Sequence, residues 1–228
     1  MVIFGDTMVF ADHSEPQVSE LPEGYYDRAR LEKELFPYLF SDRRSGFHLS
    51  YLIQFHVWDK VCRSELQKKN HVRDENISMY EDVPLTAACL LDSQNIYISS
   101  EMLYYYNKAN PGSIMTLGGK NRLNKSVAHV VAYLQARLRG ISPQLDQQLN
   151  DYPAHMVITT GIAQLENSRS FFQAVRKVKA GLKDSVMLHY ISLRMLPPKP
   201  RLCIFLFKCH LNYAAMLLCA LKMPKKKQ

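Results

Sequence analysis

Apolar positions along this chain recur with a helical spacing in some stretches and alternate or run together in others, and the succession of these patterns predicts an α/β protein. Asp27 to Phe40 places Leu31, Leu35 and Phe36 on one side of a short helix that Pro37 ends. Ser45 to Lys69 carries Phe47, Tyr51, Phe55, Trp58, Cys62 and Leu66 three or four residues apart, an amphipathic helix with an aromatic stripe. The continuous run Leu85 to Leu91 and the alternating Asn95 to Ser99, separated by Asp92-Ser93-Gln94, read as a hairpin. A further strand is expected over Ser113 to Leu117, then a helix from near Asn124 or Ser126 with Val127, Val130, Val131, Leu134 and Leu138 inward. Ala154 to Thr160 and Ser185 to Arg194 read as strands, and Ser168 to Leu182 as a helix with Phe171, Phe172, Val175 and Val178 inward.

The architecture expected is a single domain with a mixed sheet sandwiched by helices. Residues 1–26 form an acidic arm punctuated by Pro22 and Gly24, residues 27–194 the core domain, and residues 195–228 a Pro-rich linker, an apolar segment and a basic tail. At 228 residues the chain is long enough to bury a sizeable core, and its 47% hydrophobic and 22% charged residues exclude wholesale disorder.

Charge placement says more than the net +8. Residues 1–40 hold 3 Lys or Arg against 8 Asp or Glu, whereas residues 151–228 hold 13 against 3. Such a basic C-terminal third attracts nucleic acid or an acidic protein through a field that salt screens. The five cysteines form no CxxC pair, which points away from a disulfide framework or zinc ribbon and toward a reducing compartment, cytoplasmic or nuclear. Met1 to Phe10 lacks the basic start of a secretory signal. Leu202 to Leu221 is long and apolar enough to raise a tail anchor as an alternative, but Lys208, His210 and Asn212 oppose insertion, so a buried strand over Leu202 to Phe207 and a helix over Asn212 to Leu221 are expected.

The chemistry on offer is sparse. Gly118-Gly119-Lys120, followed by Arg122 and Lys125 at a helix start, makes an anion seat, although the GxxxxGK[ST] spacing of a P-loop is absent. Arg169, Arg176, Lys177, Lys179 and Lys183 lie on or beside one helix and give it a basic outer face. Tyr104, Tyr105 and Tyr106 cannot all face one way, so at least one is exposed and available for stacking. His48 and His56 share a face of the expected helix, but lack a carboxylate at ligand spacing. His129, His155 and His189, with Glu166, are the weak candidates for acid–base work at one end of the sheet.

The element order from Ser45 to Arg194, with Ala128-His129-Val130-Val131 opening a helix, resembles the cytidine deaminase-like superfamily. The resemblance places His129 at a zinc-ligand position. Val131 then stands where the family has a proton-shuttling Glu, and Thr159-Thr160-Gly161-Ile162 to Ser168 holds no cysteine where the family has its pair. With one ligand in place of three, no metal or cofactor is expected. The sequence therefore points to a noncatalytic binder of nucleic acid or another polyanion, with a divergent nucleotide-processing enzyme and a membrane-tethered interaction protein as the alternatives.

Overall fold

The computed structural model describes residues 1–44, 46–50, 52–78, 80–110, 125–184 and 186–221. It is an α/β structure with a mixed sheet, as expected. The chain forms two compact units: Met1–Phe40 with the described residues of Ser50–Gly119, and Ser41–Leu49 with the described residues of Lys120–Gln228.

The first unit holds the sheet. Strand β1 (Val2–Val9) runs parallel to β7 (Asn95–Asn107) and antiparallel to both β2 (Ser14–Gln17) and β6 (Lys60–Val61), while β3 (Gly24–Asp27) closes against β7. The expected N-terminal arm is thus a central strand. Its Ile3 is buried while Val2 is exposed, the alternation of a strand with one covered face, and nothing in the acidity of the segment as a whole revealed this. The β1–β7 register shifts on either side of Gly5, where a Cβ would lie 2.7 Å from the Met102 Sδ.

Helix α1 (Arg28–Glu34) begins where expected, with Asp27 Oδ1 accepting from the Arg30 amide at 2.8 Å, and buries Leu31 together with Leu35 just beyond its end. Helix α2 covers Ser64–Asn70 and α3 covers Asp82–Asp92. α3 replaces the first strand of the expected hairpin. A run buried on most sides looks alike as helix or strand, and here Ala87 and Ala88 favour the helix while Val83, Ala87 and Leu90 fill its core-facing positions. The second strand of that pair is real but much longer, reaching Asn107.

The long helix expected over Ser45 to Lys69 does not form. Its residues are divided between the units, with β5 (His48–Leu49) pairing with β4 (Ser41–Asp42) in the second unit and β6 in the first, so His48 and His56 share no helical face. Non-local partners override the periodicity. The Glu20 amide takes the Leu52 carbonyl and the Thr86 hydroxyl that of Phe55, acceptors a helix would have paired internally.

The second unit is mainly helical: α4 (Lys125–Leu138), α5 (Pro143–Glu166), α6 (Phe171–Asp184), α7 (Pro198–Lys208) and α8 (Asn212–Ala220), with 3-10 turns over Val186–Tyr190 and Leu193–Met195. α4 buries Val127, Val130, Val131, Leu134 and Leu138, the face read from the sequence. α5 replaces the strand expected over Ala154 to Thr160. Its Val157, Ile158, Thr159 and Thr160 favour strands in isolation, but Val157, Ile158 and Thr160 are buried here, and the Thr159 hydroxyl donates back to the His155 carbonyl at 2.8 Å. Ser142 caps α5 by accepting from the Leu145 amide, and Pro143 starts it.

The strand expected over Ser185 to Arg194 is instead the pair of 3-10 turns. Asn150 on α5 holds this segment by accepting from the Ser192 amide at 2.5 Å and donating to its carbonyl at 3.2 Å. The strand expected over Leu202 to Phe207 lies within α7, and Pro197-Pro198 are its helix start rather than a linker. A turn with His210 at φ +60° separates α7 from α8. Among the described residues no helix is long and apolar enough to cross a membrane.

Candidate functional site

The chemistry-bearing residues that the structure brings together lie in the first unit, around the loop leading into β6 and the start of α3. Trp58 Nε1 donates to Asp6 Oδ2 at 2.7 Å from a residue on the central strand, and Asp6 is only 3% exposed. The Trp58 ring stacks on His56 at 4.2 Å and on Tyr106 at 4.7 Å, with Tyr104 at 6.1 Å. Lys60 Nζ, almost fully buried, donates to Asp59 Oδ1 at 2.6 Å in addition to the carbonyls of Gln54 and His56. The Phe4 amide and Thr86 hydroxyl tie the same loop to β1 and α3 through the carbonyls of Asp59 and Phe55.

Burial dominates the electrostatics. It raises the Asp59 carboxyl above the usual carboxylate range and lowers the Lys60 ammonium, and in each case the opposite ion draws the group part of the way back. His56 is pulled down to about 4, first by burial and then by Lys60, so its ring is neutral at pH 7. Among the described residues its Nδ1 has no hydrogen-bond partner.

Asp82 is a further carboxylate of this cluster. It opens α3 half-buried, and its carboxyl is raised first by burial and then by neighbouring Glu81, against the pull of Lys60 and a hydrogen bond from the Val57 amide. Lys60 acts on it through space, since the Lys60 ion pair is with Asp59. Tyr80, just before this acidic pair, has φ +66°, a left-handed conformation that is strained for a bulky side chain.

The candidates read from the sequence lie elsewhere. His129 is half-buried on α4, His155 half-buried on α5, His189 exposed on a 3-10 turn and Glu166 exposed at the end of α5. The elements that carry them are helices and a turn rather than the strands expected for His155 and His189. Lys120 and Arg122 lie outside the described residues, as do the strand and glycine loop before them. Lys125, Arg169, Arg176, Lys177, Lys179 and Lys183 are all exposed. On α6 the basic residues oppose a face of buried Ala174, Val175 and Val178, but Phe172, expected inward, is 70% exposed and meets Phe171 and Tyr213 edge-on. Tyr105 is 69% exposed, in line with the expectation for the tyrosine triplet.

Asp6, Asp59, Lys60 and Asp82 were not singled out, and His56 and Trp58 were placed on a helix face rather than in this cluster. The available signal was the charged pair Asp59-Lys60 inside the otherwise apolar Val57 to Cys62, together with the adjacent carboxylates Glu81-Asp82. Among the described residues no group of three or more His, Cys, Asp or Glu is placed to hold a metal ion. Comparison of the chain with protein-family models, with curated proteins and with solved structures finds no match.

Proposed function

We propose that the first unit is an acid–base enzyme domain in which Asp82 takes the proton of a substrate hydroxyl. The observation that carries this reading is the placement of Asp82, half-buried at the start of α3 after the strained Tyr80 turn and within the field of the Asp59–Lys60 pair, where burial raises its carboxyl. Perturbed carboxylates coupled to a buried cation mark functional sites, and a base whose pKa lies nearer neutrality transfers protons more efficiently. Asp6, Asp59, Glu81 and Asp82 outnumber Lys60 and Lys108 here, so the region disfavours anionic substrates and favours donors of hydrogen bonds. Tyr104, 39% exposed beside Trp58, adds an aromatic face for a ring-shaped substrate. The chemistry is that of a neutral, hydroxyl-bearing molecule.

Titration of isotope-labelled protein with glycerol, myo-inositol and methyl glucoside, and separately with inorganic phosphate, tests this reading. The neutral probes are expected to shift amides at 56–60 and 80–82 and to lose that effect in Asp82→Asn. Shifts gathered elsewhere, or an equal response to phosphate, contradict it.

A second reading, polyanion binding by the second unit, is favoured by the exposed basic residues of α6 and the Phe171–Phe172–Tyr213 edge beside them. Nucleic acid held this way is gripped by its phosphates. Affinity for a single-stranded RNA is then expected to fall roughly fifty-fold between 50 and 200 mM salt if about four phosphates are neutralised. It is also expected to fall when Arg176, Lys177, Lys179 and Lys183 become Ala, or when Lys120, Arg122 and Lys125 do. Binding that ignores salt and both sets of substitutions removes this reading.

A further inference from the structure

We infer that the second unit carries a binding cavity for an amphiphilic anion, a small molecule with an apolar body and one carboxylate or phosphate head. The cavity has a volume of about 810 Å³, within the range of small-molecule sites. One wall is a stripe of α5, where His155, Ile158, Thr159 and Ile162 follow the spacing that puts residues on a single helix face. Phe47, next to β5, and Pro197-Pro198, at the start of α7, complete the apolar lining, and the Phe47 ring lies 5.8 Å from that of His155.

The polar lining is one-sided. Arg43, His48, His155 and Lys199 border the cavity, and among its described lining residues none is Asp or Glu. Two acids beside these groups are already engaged: Asp151 is fully buried behind Arg43, which it grips through Nε at 2.7 Å and Nη2 at 2.5 Å, and Asp42, which neighbours His48, pairs with Arg44 at 2.6 Å. The Arg43 guanidinium is also held by the Met195 carbonyl at 2.7 Å, so it meets a ligand already oriented. Lys199 brings an exposed ammonium and the one backbone N–H among the first three positions of α7, since Pro198 and Pro200 have none. An apolar lining selects a hydrocarbon or aromatic body, and the Lys199 ammonium, together with an Arg43 guanidinium whose charge Asp151 partly offsets, selects a negative head.

Calorimetric titration of the full chain with octanoate, with octanol and with inorganic phosphate tests the inference. Octanoate is expected to bind saturably with a Kd on the order of 100 µM, at least about tenfold more tightly than either control. The exposed-residue variant Lys199→Ala/His48→Gln is expected to lose most of that affinity, while Lys177→Ala/Lys179→Ala on α6 retains it. Absence of saturable octanoate binding, equal binding of octanol, or equal loss in the α6 variant overturns the proposal. The chemistry of Asp82 takes no part in this test, so either proposal can fail alone.

Discussion

Gln135 Nε2 on α4 donates to the Leu149 carbonyl of α5 at 2.8 Å, and Pro153 creates the need for that bond. A helical Leu149 carbonyl would accept from the amide four residues on, but proline has none, so the buried acceptor is satisfied from the neighbouring helix. Gln135→Leu is expected to destabilise the protein by about 1 kcal/mol, at the low end for a lost buried hydrogen bond, because Gln135 Oε1 is itself buried without a partner among the described residues. Denaturant unfolding in the Pro153→Ala background checks the cause. There the helix supplies its own donor and the cost of Gln135→Leu shrinks toward zero, whereas an undiminished cost contradicts the account.

Arg43 and Asp151 form a pair with one member fully buried, and removing the cation strands the carboxylate. Arg43→Met is expected to cost about 3 to 5 kcal/mol at pH 7. Burial already raises the Asp151 carboxyl against the pull of Arg43, and loss of Arg43 raises it further. A raised carboxyl favours the fold below its unfolded pKa and loses that contribution as pH rises through its folded pKa, so the penalty of the variant is smaller at pH 4 than at pH 7. A penalty independent of pH shows that the pair is not the cause.

His56 carries the opposite sign. Its folded pKa lies at about 4, below the ordinary 6.5, so its contribution to stability is present above pH 6.5 and is lost as pH falls toward 4. Relative to His56→Gln, the natural chain is expected to lose up to about 2 kcal/mol across that window, since the partly exposed ring feels a screened share of the shift. Parallel pH profiles of the two proteins would show that His56 titrates normally.

The difference between what the sequence disclosed and what it concealed is one of range. α1, α4, α6 and α8 were legible because a cap or a one-sided apolar stripe is a local property, as with Asp27 before α1 or Val127 to Leu138 on α4. α3 and α5 were not, because Leu85 to Leu91 and Ala154 to Thr160 are covered on most sides and lose the periodicity that separates helix from strand. The candidate site was concealed for the same reason, since Trp58 finds Asp6 across 52 residues and only folding brings His56, Asp59, Lys60 and Asp82 into one electrostatic neighbourhood. The basic residues of α6, by contrast, were placed on its outer face from spacing alone.

The central claim is that Asp82 is a carboxylate tuned for proton transfer, and its titration followed by carbon NMR of the labelled side chain tests this most directly. The expected result is a pKa above the ordinary 3.8 that falls when Glu81→Gln removes the neighbouring charge. A pKa at or below the ordinary value, unmoved by that substitution, would contradict the account.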